Sequence, residues 1–210
     1  MTFKTEQEEF WAGEFGIEYI SRNDNKELLA SNVNFFCKAL KCVGKPESLI
    51  EFGPNIGMNL QAIKVLFPSI DLFGVEINET AAKSLEDILG AENVANESIF
   101  DFSARKKYEV SLIKGVLIHI NPDMLDTVYQ KLYDSSSNFI LVCEYYNPSP
   151  VTINYRGHTD RLFKRDFAGE MLEKFGDLKL VDYGFAYRRD PAFAQDDITW
   201  FLLQKNKFNK

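Results

Sequence analysis

A chain of 210 residues, 45% of them hydrophobic, fits one domain with a sizeable core. Its formal net charge of -7 excludes a general nucleic-acid binder, which needs a net basic surface or a basic stripe; here the basic residues are dispersed, apart from a loose cluster between Arg156 and Arg165. No apolar run approaches the roughly 20 residues that cross a bilayer, and the acidic N-terminus MTFKTEQEEFW lacks the basic-then-apolar order of a signal peptide. Cys37, Cys42 and Cys143 fall without metal-ligand spacing. The expected setting is a reduced cytoplasm, with all three as buried structural thiols, no metal site and no membrane contact.

Helical and strand signals alternate along the chain, which predicts a mainly parallel α/β sheet. Residues 26 to 43 place Leu28, Leu29, Val33, Phe36, Leu40 and Val43 at three- and four-residue intervals, so a helix precedes the first strand, at 48 to 52. A second helix runs from 58 to 66 and ends before Pro68. The second strand is expected at 71 to 76, a helix at 79 to 89 stopped by Gly90, and a short third strand at 93 to 99. A fourth strand (108 to 113), a helix opened by Asn121-Pro122 (122 to 134) and a fifth strand (138 to 144) follow. A long loop over 145 to 163 leads to a helix near 164 to 175. Two last strands, 179 to 187 and 198 to 204, flank the polar RRDPAFAQDD and read as a hairpin that closes the sheet with one antiparallel strand. The whole of 1 to 210 reads as one domain, with 1 to 25 as an N-terminal cap segment.

This layout resembles the class I S-adenosylmethionine-dependent methyltransferases, from about residue 26 to 204. The fold implied is Rossmann-like: a seven-stranded, mostly parallel sheet with one antiparallel strand and helices on both faces. Three stretches carry the resemblance. LIEFGPNIGMNL, residues 49 to 60, looks like the glycine loop that follows the first strand, with Gly53 and Gly57 present and Asn55 where the usual middle glycine stands. Glycine lets backbone turn sharply against a ligand, and asparagine is the side chain that best tolerates positive φ, so the departure is mild. Asn55 is expected to hold a tight turn beside the ligand tail, with the left-handed region open to it. GVEIN supplies Glu76, an acid at the end of the second strand that can accept both ribose hydroxyls, with Ile77 beside it. ESIFDF supplies Ser98, Ile99 and Phe100 as an adenine contact and apolar wall; either Ser98 or Asp101 reads the adenine amino group.

The competing reading is a nicotinamide-dependent oxidoreductase, whose G-x-G-x-x-G turn cradles pyrophosphate. Here the second and third positions of that pattern are Asn55 and Met58, so such a turn is poorly served. A sulfonium ligand with an amino acid tail needs no pyrophosphate cradle. The resemblance implies that Glu51 helps position the methionyl amino group and that backbone at Lys114 and Gly115 contacts it. It also implies that Tyr19 and Arg22 of the cap segment reach the methionyl carboxylate. Trp11 and Phe15 read either as part of that cap or as packing on the sheet.

His119 lies where this fold brings the methyl group near its acceptor, and reads either as a base or as a core histidine with one satisfied nitrogen. The 145 to 163 stretch follows the fifth strand, where the fold builds its acceptor pocket, and long loops are more often functional. Tyr146, Tyr155, Arg156 and Arg161 there suit a small, polar, anionic acceptor: aromatic faces for a ring, cations for a carboxylate or phosphate. The acceptor proton has three candidate takers, His119, His158 and Tyr145. The stretches EFWAGEFGIEYISRN, LIEFGPNIGMNL, LFGVEIN, KGVLIHINP and EYYNPSPVTINYRGHTDRLFKRDFAGE are similar to the methylases encoded with bacterial pseudaminic acid biosynthesis, which implies an acidic sugar, free or nucleotide-linked, as acceptor. A catalytically silent S-adenosylmethionine-binding accessory protein is the alternative function. No feature of the sequence specifies an oligomeric state.

Overall fold

The computed structural model describes residues 3 to 20 and 26 to 206. Two short helices come first, α1 (Glu6–Ala12) and α2 (Glu14–Ile20), then α3 (Lys26–Ala39). The core alternates β1 (Ser48–Phe52), α4 (Met58–Leu66), β2 (Asp71–Val75), α5 (Glu79–Leu89), β3 (Val94–Ala95), β4 (Tyr108–Lys114), α6 (Leu125–Ser135) and β5 (Ser136–Glu144). β6 (Val151–Tyr155) and β7 (His158–Lys164) follow, then α7 (Phe167–Lys174), β8 (Leu178–Ala186) and β9 (Ile198–Lys205).

The main sheet has seven strands in the order β3-β2-β1-β4-β5-β9-β8. β1 to β5 are parallel, and β9 inserts antiparallel between β5 and β8. The central strands read as near-continuous apolar runs because both their faces are covered. Alternate residues feed two cores. Leu49, Leu112 and Leu141 pack beneath α3, α4 and α5 through Phe35, Leu60 and Leu85. Ile50, Ile113 and Val142 pack against α6 and α7 through Val128, Leu132 and Met171. Strand order reverses direction between β1 and β4, which opens a crevice above their carboxyl ends, the usual ligand position in open α/β sheets.

Several boundaries differ from the expectation. α3 stops at Ala39 rather than 43, and its buried stripe is Asn32, Phe35, Phe36 and Ala39, with Leu28 and Leu29 only half-buried. Cys37 and Cys42 are exposed, one on the outer side of α3 and one in the turn after it, so only Cys143 is a buried thiol. The third strand is reduced to two residues because Ser98 to Asp101 turn away from the sheet, with Asp101 N–H donating to the Ser98 carbonyl. The helix after Pro122 begins as a 3-10 turn, Pro122–Met124.

The largest difference is at 145 to 163. In place of a loop, β6 and β7 form an antiparallel hairpin of their own, outside the main sheet. Tyr155 pairs with His158 across a two-residue turn in which Arg156 and Gly157 have φ of 52° and 88°. Two positive φ values are the mark of a tight hairpin turn, normally signalled by Asn-Gly or Asp-Gly. Arg156 in the first of those places hides the signal.

Residues 6 to 20 of the N-terminal segment form the two helices α1 and α2. Thr5 and Glu8 form a reciprocal capping box at the start of α1. Gly16 lets α2 lie close: a Cβ there would sit 2.0 Å from the Trp11 carbonyl oxygen and 2.7 Å from Asn78 Nδ2.

Candidate functional site

The turn after β1 is wound from three residues in the left-handed region, Gly53 (φ 74°), Asn55 (φ 52°) and Gly57 (φ 82°). A Cβ on Gly53 would meet Val116 at 2.6 Å, so the residue is glycine for space as well as torsion. Asn55 takes the left-handed conformation as a non-glycine residue, which asparagine does at least cost. The turn is tied to the end of β2 by Glu76, whose Oε2 accepts from Asn55 N–H at 2.8 Å and whose Oε1 accepts from Asn78 N–H at 2.9 Å. Burial pushes the Glu76 carboxyl above the usual range, and those backbone donors pull it back.

Above this turn lies a cavity of about 460 Å³. Gly53, Asn55, Glu76 and Ile77 line one end of it, with Ser98, Ile99 and Phe100 behind them. Lys114 and Gly115 line its middle, and Gly115 (φ 68°) has nothing within 4 Å of where a Cβ would stand. His119, Tyr145, Tyr155 and Arg156 line the other end. Glu8, Trp11 and Tyr19 of α1 and α2 border it as well.

Ser98 lines the cavity, whereas Asp101 is exposed and pairs with Lys4 at 2.5 Å. The Ser98 hydroxyl donates to Glu8, so the cap helix is bonded to the wall after β3. Burial pulls the Lys114 ammonium below its usual range, and it lies 5.6 Å over the Phe35 ring.

Five expected site residues stand elsewhere. Glu51 is wholly buried behind the cavity wall and reaches it only through Asn59, whose Nδ2 donates to Glu51 Oε1 at 2.7 Å; burial pushes this carboxyl up to about 7. Gly57 lies under the lining, where it precedes α4 and would meet Leu85 at 2.6 Å through a Cβ. Tyr146 is turned outward against Phe201, ring centroids 5.8 Å apart. His158 is exposed and packs edge-on to Phe10 at 5.2 Å, which removes it from the cavity. Arg161 also lies off the lining: its guanidinium binds Asp160 at 2.6 Å and Glu6 at 3.2 Å. Arg22 falls outside the described residues.

His119 sits in a 3-10 turn, Leu117–His119, held from two sides. Below, the buried Glu144 at the end of β5 accepts from Val116 and Leu117 N–H, each at 2.9 Å; burial raises this carboxyl to about 7. Above, His119 Nδ1 lies 2.6 Å from the Arg161 carbonyl oxygen. A carbonyl only accepts, so Nδ1 carries the proton and the neutral ring has its lone pair on Nε2. Burial lowers the pKa to about 4, so the ring is neutral at physiological pH. Burial has the opposite effect on the Tyr145 hydroxyl, which it raises, leaving that group a donor and not a base.

Sequence reasoning missed Glu8, Asn59, Glu144 and the loop before β9, where buried Gln195 donates to Asn32 Oδ1 at 2.9 Å beside the cavity. For Glu8 a signal existed, the Thr-x-x-Glu capping box. The rest depend on contacts between distant segments.

No protein-family model matches the chain, and no curated protein matches it. Solved structures do. The chain is similar to a mitomycin 7-O-methyltransferase (TM-score 0.66, 14% identity), covering 96% of its own length and 61% of that chain. It is similar to the 1,6-didemethyltoxoflavin-N1-methyltransferase of Burkholderia thailandensis, solved with 1,6-didemethyltoxoflavin and S-adenosylhomocysteine (TM-score 0.67, 13% identity, 98% and 92% of the two chains). It is also similar to the magnesium protoporphyrin IX methyltransferase of Synechocystis PCC 6803 with S-adenosylhomocysteine (TM-score 0.67, 11% identity, 94% and 97%). At these identities the likeness is one of fold, and the fold is that of the class I methyltransferases.

Proposed function

We propose that the protein is an S-adenosylmethionine-dependent methyltransferase acting on a small, polar, anionic acceptor. The observation that carries this reading is the joint at Glu76: one carboxylate holds the turn after β1 at its left-handed Asn55 and faces a cavity at the switch point of the sheet. Each oxygen takes one backbone N–H and keeps a lone pair for a ribose hydroxyl.

The residues present fit such a cofactor. Ile77, Ile99 and Phe100 offer an apolar bed for adenine beside Ser98, and Gly115 leaves backbone uncovered where an amino acid tail would lie. Tyr19 and Arg22 are assigned to the tail carboxylate. Glu51 is assigned to its ammonium through Asn59, with the backbone at Lys114. When bound, the cofactor supplies a methyl group already activated by sulfonium charge. The chain's part is alignment and exclusion of water, which is where near-attack geometry lowers the barrier. His119 takes the proton of a hydroxyl or amine acceptor on Nε2. Tyr145 donates a hydrogen bond, Tyr155 offers a ring face, and Arg156, which forms no ion pair among the described residues, holds the anionic group.

The acceptor class we put forward is an acidic sugar, free or nucleotide-linked, the reading supported by the sequence resemblance and by the cation at the hairpin turn. The setting is proposed as cytoplasmic; no helix among the described residues is long and apolar enough to cross a membrane. Calorimetric titration tests the assignment: wild type binds S-adenosylhomocysteine and not NADH, and Glu76→Ala binds it much more weakly. Tight NADH binding without S-adenosylhomocysteine binding would overturn it in favour of an oxidoreductase.

A further inference from the structure

His119 Nδ1 finds its acceptor on a strand that the main sheet does not hold. β7 hydrogen-bonds only to β6 within a two-stranded sheet, and the isolated bridge between Tyr146 and Arg165 links the far end of this hairpin to β5's extension. β7 packs on the Leu117–His119 turn itself, and near the Arg161 carbonyl it is also held by polar side chains of α1. Gln7 Nε2 donates to the Asp160 carbonyl at 3.0 Å, Glu6 binds the Arg161 guanidinium at 3.2 Å, and that guanidinium lies 5.5 Å over the Phe10 ring.

α1 is itself moored to the body of the fold. Glu8 accepts from Ser98, Lys4 pairs with Asp101, and Asn78 Nδ2 donates to the Trp11 and Ala12 carbonyls at 3.2 and 3.3 Å. Its Trp11 ring lies 4.6 Å from the His119 ring. The helix is therefore a brace, fastened to the sheet on one side and to β7 on the other.

We infer that Gln7 and Glu6 are positioning residues for His119: by holding β7 they keep the Arg161 carbonyl on Nδ1 and so select the tautomer whose Nε2 is free to take a proton. A neutral imidazole side chain in water prefers the opposite tautomer, with the proton on Nε2. A carbonyl fixed at Nδ1 reverses that preference. The consequence for methyl transfer rests on the proposed function, while the tautomer itself does not.

Charged or titratable groups on the elements around the ring are Glu6, Glu8 and Glu9 on α1, Glu144 at the end of β5, Tyr155 on β6, Arg156 in the turn, and His158, Asp160, Arg161 and Lys164 on β7. Burial outweighs them in lowering the His119 pKa, and the Arg161 carbonyl opposes it. Loosening the brace removes both effects, and because burial is the larger the pKa moves upward.

Long-range proton–nitrogen NMR on the apo protein tests this without cofactor or acceptor. The chain has two histidines, and a His158→Gln variant assigns the signals. The wild-type spectrum is expected to show His119 protonated on Nδ1. In Gln7→Leu and in Glu6→Ala, the form protonated on Nε2 appears and the pKa moves from about 4 toward the unperturbed value of about 6.5. Should Gln7→Leu fail to fold, Glu6→Ala decides, since the Glu6 side chain is 76% exposed. An Nε2–H tautomer in wild type, or unchanged tautomer and titration in the variants that fold, overturns the inference. Loss of S-adenosylhomocysteine binding by wild type would instead count against the methyltransferase reading alone.

Discussion

The two ends of the cavity are built in different ways. The end above β1, β2 and β3 is local: Gly53 to Gly57, Glu76 to Asn78 and Ser98 to Phe100 each lie in the segment that follows one of these strands. The end around His119 is assembled from segments far apart in the chain; Gln7 and Asp160, which meet beside it, are separated by 153 positions. A local motif is readable because backbone torsion and strand position dictate its residue types. A long-range assembly leaves no such pattern.

That difference can be broken or sharpened by substitution. The largest effect is expected from His119→Gln, which should lower kcat about 10²-fold with S-adenosylhomocysteine affinity nearly unchanged, measured with labelled cofactor and candidate acidic sugars. A comparable loss of cofactor affinity would merge the two ends into one. Glu76→Ala should weaken S-adenosylhomocysteine binding on the order of 30-fold, about 2 kcal/mol; undiminished affinity by calorimetry would remove Glu76 from the ribose site.

Glu51→Gln addresses the buried support of the local end. The Glu51 carboxyl is raised from 4.5 to about 7 in the folded protein, so folding takes up a proton between those values. Its contribution is most favourable below pH 4.5 and is lost as pH rises through about 7. Removing the charge should therefore raise urea stability at pH 8 by about 3 kcal/mol and change it little at pH 4.5, while weakening cofactor binding. His119 works in the other direction: its pKa is lowered to about 4, so its contribution to stability is present above about 6.5 and lost as pH falls toward 4. Next, Arg156→Ala should raise the acceptor KM about tenfold and leave cofactor affinity alone, and the reverse order would move Arg156 off the acceptor end. The smallest effect is expected at the turn: Asn55→Ala should cost about 1 kcal/mol of stability, since its φ of 52° is retained, while Asn55→Gly is tolerated. Thermal unfolding distinguishes the two.

The legibility of the sequence follows the same division. The succession of strands and helices, the antiparallel closing strand and the position of the glycine turn could be read because apolar runs, Gly90 and Pro68 punctuate the elements at regular intervals. Asn55 could be read because few other side chains accept its torsion. The hairpin β6-β7 could not, because Arg156 occupies a position where Asn or Gly normally announces the turn. Arg161 and His158 were assigned by residue type to roles that a cation or an imidazole can fill. The structure turns the Arg161 guanidinium toward carboxylates and leaves its main-chain carbonyl for His119. Neither arrangement has a sequence signature, since a carbonyl is common to every residue.

The most direct measurement of the central claim is a crystal structure with S-adenosylhomocysteine. The account predicts ligand density along the Gly53 to Gly57 turn, both ribose hydroxyls within hydrogen-bonding distance of Glu76, adenine against Ile99 and Phe100, and the sulfur facing the His119 end. Density elsewhere in the fold, or a ribose that does not touch Glu76, would contradict it.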